Sequence, residues 1–206
     1  MKNLTVLEHP LLARALTQLR DQSTPVPAFR HHLMECGRLL ACEATRDLEV
    51  RKVRVQTPLA LASGVQLRRP VTLVPVLRAG LALLDAFRDM LPEATIGFVG
   101  QRRNEETLEA ETYLFKVPAV RVSEVFVLDP MLATGGSAIS TLDQLKRHGA
   151  RRLRLICLLA APEGVAAMEK AHPEVPILTG ALDRRLNERG YIVPGLGDAG
   201  DRCFGT

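Results

Sequence analysis

The segment from residue 129 to residue 137 carries the clearest chemical signal in the chain, because it joins a carboxylate to two glycines and two hydroxyls. Its residues are Asp129, Pro130, Met131, Leu132, Ala133, Thr134, Gly135, Gly136 and Ser137. An apolar run precedes it and an amphipathic stretch follows, so the pattern predicts a strand, a Gly-rich turn and the start of a helix. Backbone N–H groups of such a turn, together with the positive end of the helix dipole, form a pocket for a phosphate dianion.

Two better-known phosphate motifs do not explain this segment. The sequence has no GxxxxGK[ST], and no GxGxxG follows a predicted strand. We therefore do not expect a nucleoside-triphosphatase loop or a dinucleotide-binding turn.

The elements that must position this segment are predicted from the alternation of short apolar runs with amphipathic stretches. That alternation favours βαβ units, hence an α/β fold with a mostly parallel sheet flanked by helices. Two helices are expected first, one containing Leu12, Leu16 and Leu19 and the other extending to Ala44, and a hairpin-like excursion is expected over 58–69. Strands are expected at 71–77, 95–99, 125–128, 153–159 and 175–178, and later helices at 81–90, 137–148 and 163–171.

The interval 101–123 fits this alternation poorly, because residues 102–106 are densely charged. We expect a hinged flap or β-arm there, placed to act as a lid.

Composition limits the class of protein. The 206 residues are 47% hydrophobic and 24% charged, which predicts a single globular domain and excludes disorder, collagen and coiled coil. The net charge of +4 is compatible with anionic ligands. Four cysteines form no CxxC pair, and no apolar stretch approaches the ~20 residues that span a bilayer, so a reducing, cytoplasmic location without a membrane segment is expected.

The histidines show no metal-ligand spacing supported by other ligands. His31 and His32 are adjacent and are expected to lie on different faces of their helix.

Five segments, taken in order, resemble the type I phosphoribosyltransferase family in its uracil-specific form. They are residues 76–80, 103–107, 129–137, 160–164 and 186–201. The resemblance covers nearly the whole chain. It implies the type I phosphoribosyltransferase fold and transfer of the phosphoribosyl group of phosphoribosyl diphosphate to uracil, giving UMP and diphosphate.

The resemblance also implies which residues bind phosphoribosyl diphosphate. All residues from 129 to 137 are expected to contact it, the 134–137 turn holding the 5′-phosphate and Asp129 the ribose hydroxyls. Arg78 and Arg103 are expected on the diphosphate, where their guanidinium groups would stabilise growing negative charge. The expected catalytic set is Arg78, Arg103, Asp129 and Asp198.

Base recognition is assigned by resemblance to Ile192, Gly197, Asp198 and Ala199. The surrounding glycines at 195, 197, 200 and 205 are expected to form a rigid loop that presents backbone groups to the base. Uracil offers two carbonyl acceptors around one N–H donor, so backbone N–H, C=O and N–H groups would read it. Cytosine would place an amino group against a backbone N–H, at about 1 to 3 kcal/mol for each unpaired buried group.

The family pattern implies further components. Mg²⁺ is expected as cofactor, held mainly by substrate oxygens with Asp198 nearby rather than by a dedicated set of ligands. GTP is expected as an effector, and a homodimer or homotetramer as the assembly. Gln101 and Arg102 depart from the family, in which a Tyr commonly precedes the flap arginine, so a packing contact there is expected to be lost or replaced by the extra charge.

Two alternatives stay open at this point. An RNA-binding regulator on the same fold is permitted by the pI of about 9.1, although two Tyr and six Phe offer few stacking groups, so nucleic acid is not the expected partner. A purine-using transferase is the other alternative, and the segment 195–201 argues against it.

Overall fold

The computed structural model describes residues 2–103 and 110–206 of the chain, and the side chains of Arg103 and Ala110 are outside the description. In chain order its elements are β1 (Leu4–Val6), α1 (Pro10–Arg20), α2 (Val26–Ala44), β2 (Val50–Gln56), β3 (Leu61–Leu67), β4 (Val71–Leu77), α3 (Leu81–Met90), β5 (Thr95–Ile96), β6 (Phe98–Arg103), β7 (Ala110–Lys116), β8 (Glu124–Leu128), β9 (Met131–Leu132), α4 (Gly136–Arg147), β10 (Arg152–Ala160), α5 (Pro162–Ala171), β11 (Ile177–Leu182), β12 (Arg185–Leu186), β13 (Ile192–Val193) and α6 (Ala199–Phe204).

The main sheet has the strand order β1-β11-β10-β8-β4-β6-β7, with β5 paired to β4 and β9 to β10. Its neighbours are parallel except for β6 and β7, which form an antiparallel hairpin at one edge. The predicted mostly parallel sheet is therefore confirmed. β2 and β3 form a separate antiparallel hairpin that is not hydrogen-bonded to this sheet.

Helices cover both faces of the sheet, which explains why its central strands are apolar along their whole length. Along β8, Phe126 packs on the face that α1, α2 and α3 cover, while Val127 packs on the face covered by α4 and α5. Leu73 and Val74 alternate in the same way along β4. The two faces of the central strands thus each carry a buried cluster, and the strand ends are fixed between them.

Several predicted elements agree closely with the structure. The strand at 71–77 and the helix at 81–90 coincide with β4 and α3. The interval 101–123 contains the end of β6 and all of β7, which pair as an antiparallel hairpin, and its action as a lid stays a prediction. No described helix is long and apolar enough to cross a membrane.

Other predictions were incomplete or wrong. The expected strand at 95–99 is interrupted at Gly97 and becomes β5 and β6. The C-terminal glycines do not form a loop throughout, because α6 begins at Ala199 and ends before Gly205. β1 was not predicted; its residues Leu4–Val6 pair in parallel with β11.

The prediction that no other ligand accompanies the histidines was wrong, because both imidazoles approach one carboxylate. His32 Nδ1 lies 2.8 Å from Glu35 Oε2, and His31 Nε2 lies 3.8 Å from Glu35 Oε1. Residues three and four positions apart share a helix face, so Glu35 can meet both. Arg14 Nη2 donates to the same Oε1 at 2.7 Å, which already places a cation on this carboxylate.

Candidate active site

The segment 129–137 is fixed by strand pairing rather than hanging free from the sheet. Asp129 follows β8 and donates its backbone N–H to the Ile156 carbonyl at 3.1 Å. The Pro130 carbonyl accepts from the amides of Leu158 and Leu159, and β9 then pairs with β10. The loop therefore starts from the carboxyl end of a buried central strand, where ligands bind in open α/β sheets.

The second half of the segment forms the predicted entrance to a helix. Gly135 occupies the N-cap position of α4 with φ +86°, a conformation that favours glycine. Having no side chain, Gly135 cannot cap the helix, and among the described residues the Gly136 N–H, the first of α4, meets only the Thr134 hydroxyl, at 3.5 Å. Backbone N–H groups at this end of α4 can therefore turn to a ligand. Thr134 and Gly136 are exposed and Ser137 is partly exposed. This arrangement provides amide and hydroxyl donors for an anion.

Gly164, in the first turn of α5, explains why the segment 160–164 accompanies the anion loop. A Cβ on Gly164 would lie 2.3 Å from the Ala133 carbonyl oxygen and 2.8 Å from that of Leu132. The loop backbone therefore packs directly on the backbone of α5, and a side chain at Gly164 would displace it.

Arg78 lies in a turn at the carboxyl end of β4, beside the end of β8. The Leu77–Arg78 peptide bond is cis, and the Gly80 N–H donates to the Val76 carbonyl at 2.7 Å. A Cβ on Gly80 would lie 2.3 Å from the Leu128 carbonyl oxygen, so this turn packs against the residue that precedes Asp129. The Arg78 side chain is 65% exposed, which leaves its guanidinium accessible.

The C-terminal segment contacts both of these loops. A Cβ on Gly200 would be 3.7 Å from that of Ala79, and a Cβ on Gly190 would be 3.8 Å from Thr134 Cγ2. Arg78 Nη2 is 3.7 Å from Asp201 Oδ1. Three segments distant in sequence, 78–80, 129–137 and 190–201, thus meet at one edge of the sheet.

The predicted base-binding residues divide by exposure. Gly197 and Asp198 are exposed, whereas Ile192 and Ala199 are buried. Asp198 is the N-cap of α6, where its Oδ1 accepts from the Asp201 N–H at 2.9 Å. Ile192 and Ala199 belong to the core cluster, and the exposed pair is accessible to a ligand.

A GxGxxG spacing is present here after all, at Gly195, Gly197 and Gly200. It follows the short strand β13, which the sequence analysis missed. Because β13 is antiparallel to β12 and lies outside the main sheet, this is not the buried βαβ unit that a dinucleotide-binding turn requires.

The environment of Asp129 shifts the pKa of its carboxyl group into the neutral range. Burial raises the pKa of its carboxyl to about 7, and the Met131 N–H, 3.4 Å from Oδ1, opposes that rise. The neighbouring Cys157 thiol is buried, which raises its pKa to about 12 and keeps it neutral. The carboxyl group of Asp129 therefore changes charge near neutral pH, a property common at functional sites.

The arm contacts the helix that the anion loop opens. Gln101 Nε2 donates to Ser140 Oγ at 3.2 Å, and Gln144 Nε2 donates to Thr112 Oγ1 at 2.6 Å. The extra charge of Arg102 is paired with Glu111, its Nε lying 3.0 Å from Oε2, and this hydrogen bond lowers the pKa of Glu111. A packing contact at Gln101 is thus present, made to α4.

The predictions for Arg103 and its neighbours fall largely outside the described residues. The Arg103 backbone ends β6 opposite Ala110, while its side chain and residues 104–109 are outside the described part of the chain. The resemblance segment 103–107 falls mostly on those residues.

A parallel sheet with an acidic, Gly-rich anion loop at the end of a central strand and an edge β-arm defines a type I phosphoribosyltransferase. The solved structure of AQ2163 protein from Aquifex aeolicus superposes with a TM-score of 0.93 at 38% identity, covering 98% of this chain and 97% of that one. A purine phosphoribosyltransferase from Pyrococcus horikoshii shares the fold at a TM-score of 0.51 and 14% identity, over 73% and 82% of the two chains.

The family model of uracil phosphoribosyltransferase matches residues 6–206, and the chain belongs to that family. Relatives named uracil phosphoribosyltransferase include one from Paracoccus denitrificans, 50% identical over 206 residues, with 99% of this chain and 98% of the relative covered. Another, from Streptococcus equi subsp. zooepidemicus, is 49% identical over 203 residues, with 98% and 97% covered.

Proposed function

We propose that this protein transfers the phosphoribosyl group of phosphoribosyl diphosphate to uracil, giving UMP and diphosphate. Membership of the family supports the reaction, and the meeting of segments 78–80, 129–137 and 190–201 is the observation that carries the site. The bond between the anomeric carbon and the diphosphate oxygen breaks, a bond from uracil N1 to that carbon forms, and the N1 proton is released. No side-chain nucleophile is needed. The protein contributes alignment of the reactants and stabilisation of the leaving group.

The anion loop and the two arginines would hold phosphoribosyl diphosphate. We assign the 5′-phosphate to the donors of residues 134–137 and the ribose hydroxyls to the carboxylate of Asp129. The diphosphate is assigned to Arg78, whose guanidinium is accessible, and to Arg103 of the arm. Pro130, Met131, Leu132 and Ala133 complete the contact surface, and their pairing with β10 supports a fixed loop.

Uracil is assigned to Ile192, Gly197, Asp198 and Ala199. The left-handed φ of Gly197, +82°, supports a backbone arrangement in which peptide groups face the ligand. Recognition by backbone groups would reject cytosine, because its amino group would leave buried donors unpaired.

Mg²⁺ is the cofactor we propose, and the donor set near the anion loop suits it. Asp198 is exposed and offers carboxylate oxygens, which are preferred Mg²⁺ ligands, and one of its oxygens is already used to cap α6. A bound Mg²⁺ would neutralise part of the charge on the leaving diphosphate.

We further propose that the chain forms a homodimer or homotetramer. The β2–β3 hairpin supports this, because it carries large apolar side chains that are strongly exposed: Leu59 is 96% and Leu61 66% exposed. An isolated two-stranded hairpin is marginally stable, and an exposed apolar surface of this kind favours association. Light scattering after size-exclusion chromatography tests this: Leu59→Asp combined with Leu61→Asp should reduce the oligomer, and an unchanged mass would exclude the hairpin as the contact.

GTP as an effector, the cytoplasmic location and the single-domain organisation stay predictions. The alternative of an RNA-binding regulator is not supported, since the family match and the relatives point to the transferase.

Release of diphosphate tests the proposed function. We expect it to require both uracil and Mg²⁺ and to be far slower with cytosine, hypoxanthine or guanine in place of uracil. Arg78→Ala and Asp129→Asn should both lower turnover strongly without loss of the circular dichroism of the fold. Equal rates with hypoxanthine and uracil would overturn the base assignment, and full activity in either variant would overturn the phosphoribosyl diphosphate assignment.

A further inference from the structure

An ion pair lies at the base of a hairpin formed by residues 183–195, here called the C-terminal hairpin. Arg20 Nη2 donates to Asp183 Oδ1 at 2.6 Å, and Arg20 Nη1 donates to Asp183 Oδ2 at 2.8 Å. The Asp183 side chain is 6% exposed and that of Arg20 27%. A two-pronged, largely buried contact of this kind fixes the geometry of both groups.

The pair also binds the backbone of Gly195. Asp183 Oδ2 accepts from the Gly195 N–H at 2.8 Å, and Arg20 Nη1 donates to the Gly195 carbonyl at 2.9 Å. Gly195 has φ +62°, and a Cβ there would lie 2.2 Å from the Ile192 carbonyl oxygen. Both polar groups of Gly195 are thus held by charged side chains, which sets the orientation of the peptide groups on either side of it.

This contact joins the points where the C-terminal hairpin leaves and rejoins the fold. Asp183 directly follows β11, and its N–H donates to the Ala160 carbonyl at 2.8 Å, which ties it to the sheet. Arg20 is the last residue of α1, a helix whose Leu16 and Leu19 are buried in the core. The Gly195 peptide is therefore held by side chains that are anchored in β11 and α1, not by its own loop.

The next carbonyl along the chain is engaged as well. The Leu196 carbonyl accepts from Arg202 Nη1 at 2.8 Å. Charged side chains hence occupy the polar groups of Gly195 and the carbonyl of Leu196, immediately before the proposed base-binding residues Gly197 and Asp198. The peptides that lead into those two residues are therefore fixed in orientation.

From these contacts we propose that Arg20 and Asp183 are positioning residues for base recognition: they touch no substrate, yet they set the affinity for uracil through Gly195. The inference rests on the proposed function, since it assumes that residues 192–199 bind the base. A purely structural role would lower stability without distinguishing the two substrates. A positioning role changes the KM for uracil and leaves the KM for phosphoribosyl diphosphate unaltered.

The chain offers a matched control at the opposite end of the sheet. Arg154 Nη2 donates to both carboxylate oxygens of Asp47, at 2.9 and 2.7 Å, and its Nη1 donates to the Ala44 carbonyl at 2.6 Å. This pair also joins a guanidinium to a carboxylate and to a backbone carbonyl, but its Asp47 side chain is 66% exposed and it lies near the start of β10 and the end of α2. Asp47→Asn therefore measures what loss of such a pair does away from the site.

The experiment compares wild type, Asp183→Asn, Arg20→Lys and Asp47→Asn in diphosphate release, with both KM values, kcat and Tm recorded. We expect Asp183→Asn to raise the KM for uracil about tenfold, Arg20→Lys to raise it less, and both to change the KM for phosphoribosyl diphosphate less than about twofold. Asp47→Asn should change neither KM.

The outcomes separate this inference from the proposed function. A wild-type protein that releases no diphosphate with uracil would overturn the function itself. An active wild type with an unchanged KM for uracil in both Asp183→Asn and Arg20→Lys, or with both KM values raised equally, would overturn the positioning role alone. If Asp183→Asn does not fold, the KM values of Arg20→Lys, which keeps the positive charge, are used instead. They are measured at a temperature below the Tm of that variant.

Discussion

The anion loop and the C-terminal segment solve the same problem, holding backbone groups in place for a ligand, by different means. The loop 129–137 is fixed by β8, which directly precedes it, and by β10 and the start of α5, which follow α4 in the chain. The C-terminal segment is fixed by arginines that act across the whole chain. Arg20 holds Gly195, Arg30 Nε donates to the Cys203 carbonyl at 2.6 Å, and Arg202 Nη2 donates to that of Asp21 at 2.6 Å.

The difference teaches that phosphate binding and base binding have separate structural supports. A change in the anion loop should alter the handling of phosphoribosyl diphosphate, and a change in the arginine contacts should alter the handling of uracil. Three substitutions and a change of pH test that separation, with expected effects that decrease from Asp129→Asn to the pH change.

The largest effect is expected from Asp129→Asn. Hydrogen bonds to a charged group contribute about 1.5 to 3 kcal/mol each, so losing the carboxylate beneath two ribose hydroxyls should lower kcat by roughly 10² to 10⁴-fold. The same change should raise the free energy of unfolding above pH 7, because it removes a charge whose burial is unfavourable. Steady-state kinetics and thermal unfolding check both effects. A variant with lower activity and lower stability would contradict a functional cost at this residue.

Gly164→Ala is expected to damage the anion loop through packing alone. Its Cβ would meet the Ala133 carbonyl at 2.3 Å, and overpacking of this kind costs about 1 to 3 kcal/mol. The displaced loop should raise the KM for phosphoribosyl diphosphate at least about tenfold while the KM for uracil stays close to wild type. Gly136→Ala is the steric control for unfolding, since the nearest atom to its Cβ is 3.8 Å away. Equal destabilisation of the two variants would refute the packing argument.

Arg202→Met tests the C-terminal side of the comparison. Arg202 donates to the carbonyls of Leu19, Leu196 and Asp21 and lies over the Phe29 ring, with Cζ 4.4 Å from its centroid. Methionine can keep part of the ring contact but none of the hydrogen bonds, so we expect a loss of about 1 to 3 kcal/mol in unfolding free energy. The KM for uracil should rise about fivefold. A matching rise in the KM for phosphoribosyl diphosphate would show that the two regions are not separable.

The smallest effect is a pH dependence. A carboxyl with a pKa of about 7 is neutral below that pH and ionised above it, so the acceptor for the ribose hydroxyls becomes available as pH rises. Between pH 6.5 and 7.5 the KM for phosphoribosyl diphosphate should fall about threefold and that for uracil should not change. Asp129→Asn retains any titration that belongs to the substrate, and an identical pH profile in that variant would exclude Asp129 as the group.

Ionisation of Asp129 also affects stability, with the opposite sign. Because the folded pKa lies above the unfolded value, the folded protein binds more protons between about pH 4 and pH 7. This group's contribution to stability is therefore full below about pH 4 and is lost as the pH rises through 7.

The elements that could be predicted from sequence are those fixed by local signals, and the elements that were missed depend on distant contacts. β4, α3 and the anion loop were predicted because their signals are local: an apolar run, a helical repeat and a Gly-rich turn between them. β1 was missed because Leu4–Val6 is too short to show a period and is defined by its pairing with β11. α6 was missed because the glycines at 195, 197, 200 and 205 are typical of a loop, and the chain becomes helical where Asp198 caps it.

Arg20 and Asp183 illustrate the limit most directly. Neither belongs to a motif, and 163 positions separate them, so no spacing in the sequence indicates that they pair. Asp183 follows an apolar strand, as Asp129 does, and this position at a strand end was the one signal that could have marked it.

The contact of α6 with α2 has a consequence for how the chain folds. Arg30 in α2 holds the Cys203 carbonyl, three residues from the end of the chain as given, and Cys203 is buried in the cluster that includes Phe29. In the chain α2 precedes nearly all of the sheet and α6 follows it, so the support of the base-binding surface closes only when helices from both sides of the sheet have met. The anion loop needs no such closure, because β8, β10 and α5 all lie between those two helices in the chain.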